Sequence, residues 1–292
     1  PTRASKLKAW ASKVPEPLRR FGAACWEVLL SFDRSAGTRQ AAQLSFFVLL
    51  SFPALILLAV WILSNIFDSP DVRQDLIREI INNLPIEEIQ GKREIEDMLD
   101  ELTKGAGGLG IFSIVILLYS VSSAIGGLRH AVETANEKGD SGPPFPQNKL
   151  LDIGITLVTL PAALIFVALA LSRDLARVVD DNVFLSWSAD HLGGPLGIFA
   201  AALIFYTWIF WVLNPGPTSW TSAAAGSLVT SALIWLVYSG LRIWFGISGG
   251  GSAIYGALAG FLGLLLFLNL ASIAVVMGAH VAAIWRVHRE AG

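Results

Sequence analysis

Residues 255–284 read YGALAGFLGLLLFLNLASIAVVMGAHVAAI, and they lie within a longer run, 243–285, that holds no Asp, Glu, Lys or Arg. A helix of about 20 apolar residues crosses the hydrocarbon core of a bilayer. Hydrocarbon offers bare peptide groups no partner, so a spanning segment must be a helix or a strand of a closed barrel. Barrel strands alternate in polarity over about ten residues, whereas this run is continuously apolar and far too long. Four further runs lack the same charges: 40–67, 105–128, 153–172 and 191–241. The turn Asn214-Pro215-Gly216-Pro217 divides the last of them in two. The fold class that follows is an all-α integral membrane protein with about six transmembrane helices. Their expected limits are 41–64, 108–128, 151–172, 195–213, 219–240 and 255–284. The sixth is longer than a bilayer needs, so it is expected to tilt or protrude.

The segments between the spans differ in character. Residues 1–40 are expected to be cytoplasmic and interfacial. Leu18, Phe21, Cys25, Val28, Leu29 and Phe32 recur at helical spacing with Arg19, Arg20, Glu27 and Asp33 between them, the pattern of a helix lying in the membrane surface. This stretch is basic and shows no cleavable signal pattern, so the first span is expected to act as an uncleaved insertion signal. Residues 65–107 form an outer insertion whose core, 68–104, carries eleven acidic residues against five basic ones. Ser69-Pro70-Asp71 is a helix start. Val72, Leu76, Ile77, Ile80, Ile81 and Leu84 make one apolar stripe, Pro85 breaks it, and Ile86, Ile89, Ile95, Met98, Leu99 and Leu102 make another. Two short amphipathic helices forming a small acidic cap outside the membrane are expected here, in preference to a plain loop.

A cytoplasmic linker, 129–150, contains the breakers Gly142-Pro143-Pro144 and Pro146. An outer loop, 173–194, an outer Gly-rich loop, 241–254, and a cytoplasmic tail, 285–292, complete the division. With both termini inside, cytoplasmic segments hold 13 of the 21 Lys and Arg residues and outer segments 8, in keeping with positive-inside orientation.

Composition narrows the chemistry. Only 15% of the 292 residues are charged and 54% are hydrophobic, whereas soluble chains are about a quarter charged. A formal net charge of −2 argues against a nucleic-acid partner, because basic surfaces dominate such binding. The one cysteine, Cys25, forms neither an internal disulfide nor a metal site by itself. His130, His191, His280 and His288 make no metal-binding motif, and no serine sits in a nucleophile elbow. Eleven of the 23 acidic residues lie in the outer insertion, where they would repel RNA. No catalytic residue, metal or cofactor is expected, and the chain is read as no enzyme. Gly249-Gly250-Gly251 lacks a Walker pattern and reads as a flexible turn.

A few polar residues stand out against the apolar background. Arg129 and Glu133 fall at i and i+4 where the second span ends, so they pair on one helix face. With Ser122 and Ser123, and Ser120 nearby, they make a candidate polar mouth for an anionic head group. The plainer reading of Arg129 is a positive-inside anchor satisfied by Glu133 and lipid phosphate. His280 is the ionisable residue inside the last uncharged run. It is a candidate for proton coupling, set against the plainer reading of a hydrated residue near a helix end. Gln43 and Asn269 are uncharged polar residues within spans, suited to hydrogen bonds between helices. Gly256, Gly260 and Gly263 give the sixth span a smooth face, and Ala223, Ala224, Ala225 and Gly226 do the same for the fifth, so the two are expected to pack closely. Pro53 and Pro161 sit inside spans one and three, where each removes a backbone donor and can kink its helix. Trp187, Trp220, Trp244 and Trp285 fall near interfaces, as aromatic belts do.

Several segments together resemble the YihY/BrkB family of bacterial inner-membrane proteins, once described as ribonuclease BN. Phe46-Phe47-Val48-Leu49-Leu50-Ser51-Phe52-Pro53 is similar to the family's Phe-Tyr-x-x-Leu-Ser-x-x-Pro. Pro217-Thr218-Ser219-Trp220 followed by Ala225-Gly226, then Tyr255-Gly256-Ala257 and Gly278-Ala279, continue the likeness in the same order. The family usually has Gly-Ala-Glu near the end of the last span, whereas this chain has Gly278-Ala279-His280; a mechanism that needs that acid is not implied here. The resemblance implies a multi-pass protein of the bacterial inner membrane, with movement of lipids or other envelope components, or virulence, as the implied roles. The expectation carried forward is a transporter or flippase-like protein for a lipid or other amphiphilic, anionic envelope component, with membrane lipids as partners. Lacking an ATP-binding motif, it would work passively, by ion coupling or with a partner. The rival class is a non-transporting scaffold or envelope assembly and virulence factor that docks through its acidic cap. A membrane-embedded enzyme is the third.

Overall fold

A computed structural model describes residues 16–51, 106–136, 145–170, 194–214, 219–248 and 258–290. The described residues contain seven helices and no strand. In chain order these are α1 (Glu16–Arg34), α2 (37–51), α3 (Ala106–Ala135), α4 (Phe145–Ala170), α5 (Pro195–Leu213), α6 (Trp220–Ser248) and α7 (Leu258–Glu290). The last four are long and apolar enough to cross a membrane.

Outward faces carry large apolar side chains: Leu157, Val158 and Ile165 on α4, Ile204 on α5, Trp235 and Leu236 on α6, Leu265 and Leu266 on α7. So wide an apolar surface would aggregate in water and is the ordinary state against acyl chains. The interior is built from smaller contacts. Ala41 and Leu44 of α2, Leu128 and Val132 of α3, Phe210 and Leu213 of α5, Ala223 of α6 and Val276 and Ala279 of α7 form one buried cluster. Several hydroxyls are satisfied within their own helix: buried Thr156 donates to the Asp152 carbonyl, buried Thr159 to that of Ile155 and half-buried Thr207 to that of Leu203. Such back-bonding lets a hydroxyl sit in a helix that water does not reach.

Neighbouring helices close a ring, α3–α4–α5–α6–α7 and back to α3, with α1 lying on α7. The α6–α7 pairing is the most extensive. A Cβ added to Gly226 would lie 2.5 Å from the Gly278 carbonyl oxygen and 2.8 Å from Ala282 Cβ, and one added to Gly278 would fall on Thr230 Oγ1. The two backbones therefore touch at this crossing. Close packing of small residues is the main source of helix association where lipid removes the hydrophobic drive. Gly263 is buried on α7 and Gly260 lies in its first turns.

Several helices run past the limits expected of spans. α3 continues to Ala135 and α4 begins at Phe145, both inside the segment read as linker. α6 continues to Ser248 and α7 to Glu290. A helix need not stop at the hydrocarbon edge, and charges become tolerable just beyond it. Pro161 lies inside α4 without ending it. Pro53, the acidic cap at 68–104, Trp187, Gly249-Gly250-Gly251 and Gly256 lie outside the described residues.

Candidate functional site

α3 and α4 meet near Gly126, where a Cβ would stand 2.5 Å from Asp152 Oδ2. That approach lets side chains from the end of α3 reach the start of α4. Arg129 donates from Nη1 to Glu133 Oε1 and from Nε to Asp152 Oδ1, each at 2.9 Å. The side chains of Arg129, Glu133 and Asp152 are only 15%, 25% and 10% exposed. At such burial the attraction must offset a desolvation penalty of several kcal/mol per ion, so each group depends on its partners.

One turn away on the same seam, Lys149 Nζ donates to Ser123 Oγ at 2.8 Å and stands 4.7 Å from the centre of the Tyr119 ring, within cation–π range. Among the described residues no carboxylate lies within ion-pair distance of Lys149. Tyr119 is exposed, so the cluster opens sideways at the outer surface of the bundle. Asp152, Thr156 and Thr159 share one buried face of α4, so polarity continues from the cluster along that helix.

Arg129, Glu133 and Ser123, expected at the mouth, are thus brought together. Ser122 is not among them: it is buried and donates to the Tyr119 carbonyl. Asp152, Lys149 and Tyr119 are the members that sequence reasoning missed. The available signal was an acid placed at the very start of an uncharged run, with Thr156 and Thr159 following at i+4 and i+7.

His280 is fully buried, so the plainer expectation of a hydrated helix-end residue does not hold. Ser31 Oγ meets its Nδ1 at 2.8 Å, Ser35 Oγ meets its Nε2 at 3.0 Å, and the ring of Phe32 packs edge-on at 6.0 Å. Ser35 has one hydroxyl hydrogen, and it donates to the Phe32 carbonyl. Ser35 must then accept from Nε2–H, which leaves Nδ1 to accept from Ser31. The imidazole fits this site as the neutral Nε2–H tautomer and fastens α1 to α7.

The remaining candidates are scattered. Asn269 Nδ2 donates to Ser45 Oγ at 3.4 Å, linking α7 to α2, while Gln43 points away from the bundle. At the same end as Arg129, Arg286 reaches Asn214 and Arg289 reaches Ser219 and Thr221. Trp211 and Trp220 stack nearby, with Trp220 and Trp285 exposed. Among the described residues no three His, Cys, Asp or Glu side chains are grouped to hold a metal ion.

Comparison with curated proteins and with solved structures gives no match. A family model described as Virulence factor BrkB matches residues 28–292.

Proposed function

The chain belongs to the Virulence factor BrkB family, and from that premise we propose that it is a multi-pass protein of the bacterial inner membrane that moves a lipid or other amphiphilic envelope component. The observation that supports this reading is the charged seam between α3 and α4. Arg129, Glu133 and Asp152 are largely buried beside Lys149, which makes no ion pair with a carboxylate among the described residues, on helices whose other faces are apolar. Ionisable groups on spanning helices are rare and commonly mark a path for a polar cargo, and on this reading the cluster stands at the end of that path.

Such a seam suits an amphiphile. The head group follows Lys149, Arg129, Asp152, Thr156 and Thr159, while its acyl chains stay in the surrounding lipid. The distribution of Lys and Arg supports a cytoplasmic side for both termini, and with that orientation the Arg129 end faces the cytoplasm. The proposed movement is passive or driven by a partner, and no ribonuclease role is proposed.

Translocation of fluorescent lipids in proteoliposomes of the purified chain tests the reading. The native protein is expected to expose inner-leaflet lipid to an external quencher without vesicle leakage, and an Arg129→Ala/Glu133→Ala variant is expected to lose this. Equal rates in both would remove these residues from the path. A folded sample that moves no lipid of any head group would sink the lipid-transport reading. The family description, which names virulence, favours a second reading: a non-transporting scaffold or envelope assembly factor. It predicts a stable protein partner whose binding requires residues 68–104.

A further inference from the structure

The cluster that carries the proposed function also has a pattern of vacancies. Glu133 and Asp152 each give one carboxylate oxygen to Arg129, and the second oxygen of each meets no donor among the described residues. Arg129 uses Nε and Nη1, and its Nη2 has no acceptor there. Lys149 gives one hydrogen bond to Ser123 and rests on the Tyr119 ring, so its ammonium keeps donors to spare. Among the described residues the second oxygen of Glu133 therefore lies beside two cations with donors to spare, while Asp152 Oδ2 is packed against Gly126.

A purely anionic head group would bring its charge against both carboxylates with no cation of its own to offer them. A quaternary ammonium would supply charge but no N–H donor. A primary ammonium joined to a phosphate satisfies both halves. We propose that the α3–α4 seam recognises a zwitterionic phospholipid head group, with its phosphate on Lys149 and Arg129 and its primary ammonium on Glu133. This rests on the reading of the seam as the path of an amphiphile and names the class of head group. Discrimination comes from the Glu133 carboxylate, since phosphate is common to all the competitors.

The test uses the full chain in two assays. In native mass spectrometry the protein meets an equimolar mixture of phosphatidylethanolamine, phosphatidylcholine and phosphatidylglycerol with matched acyl chains. Phosphatidylethanolamine is expected to be retained several-fold over the other two. Glu133→Gln is expected to reduce it to the level of phosphatidylcholine, Glu133→Asp to preserve the preference, and Lys149→Gln to lower all three. Proteoliposomes containing the same three lipids in fluorescent form report movement in parallel. Movement of all three at equal rates, with equal retention, overturns the head-group proposal and leaves the transport reading standing. Selective retention without movement upholds the site and overturns transport. Retention of soluble phosphoethanolamine in place of the lipid, or a preference that survives Glu133→Gln, overturns the proposal.

Discussion

Arg129 Nε and Asp152 Oδ1 lie 2.9 Å apart across the contact between α3 and α4, joining residues 23 positions apart in the chain. Removing Arg129 leaves Asp152 without its hydrogen-bonded cation, at a cost of about 3–5 kcal/mol for a buried charge, whereas removing Asp152 leaves Arg129 paired with Glu133. Arg129→Leu is therefore expected to lower the thermal midpoint of the detergent-purified protein sharply and Asp152→Leu to lower it less, and the two together to cost less than the sum of the single changes. Additive losses in a thermal-shift assay would show that the pair is not coupled.

The α6–α7 crossing makes a second prediction. Gly278→Ala places a methyl group on Thr230 Oγ1 and is expected to destabilise the protein. Thr230→Ala in the same chain should recover part of that loss, with a coupling of roughly 0.5–3 kcal/mol. Gly226→Ala meets backbone and the Ala282 methyl, which cannot swing aside, so it should find no comparable single-residue rescue. If Thr230→Ala gives no recovery, the steric account of Gly278 is wrong.

His280→Leu keeps the bulk of the ring and removes both hydrogen-bonding nitrogens. It leaves Ser31 without its acceptor, at about 1–3 kcal/mol if that hydroxyl stays buried, while Ser35 keeps its bond to the Phe32 carbonyl. Amide hydrogen exchange across residues 16–34 should accelerate while the core of α7 keeps its protection. Unchanged exchange in α1 would mean that its docking does not depend on the imidazole.

Two uncharged residues of neighbouring turns should behave differently. Gln43 faces outward, and Gln43→Leu is expected to change stability by less than about 0.5 kcal/mol. Ser45 receives the bond from Asn269 at 3.4 Å, and Ser45→Ala is expected to cost about 0.6 kcal/mol, the mean for such bonds between spanning helices. Thermal midpoints of the two variants, measured side by side in one detergent, check the order.

The all-helical class and the family were legible in the sequence for separate reasons. Continuous apolar runs leave helices as the economical spanning structure, while the ordered motifs from Phe46 to Gly278 pointed to the family whose model covers 28–292. Pairs within one helix turn were legible too: Arg129 and Glu133 are four residues apart, and a spacing of four places two side chains on one face. Asp152 was harder, because which face of α3 meets which face of α4 depends on the small residue Gly126, and one sequence does not reveal that register. His280 was harder still. Its partners Ser31 and Ser35 lie about 245–249 residues away, on a helix whose periodicity spoke only of a membrane surface. Gly226 was expected to support close packing, but its counterpart Gly278 emerged only from the crossing itself.

The bond between α1 and α7 also sets a schedule. Ser31 and Ser35 leave the ribosome early, whereas His280 emerges after every other described helix has been made. Throughout synthesis α1 must wait without the imidazole that fastens it, and the bundle closes only when α7 arrives. A nascent chain arrested before residue 280 would hold an undocked helix whose Ser31 hydroxyl lacks its imidazole and whose Ser35 bonds only to its own turn.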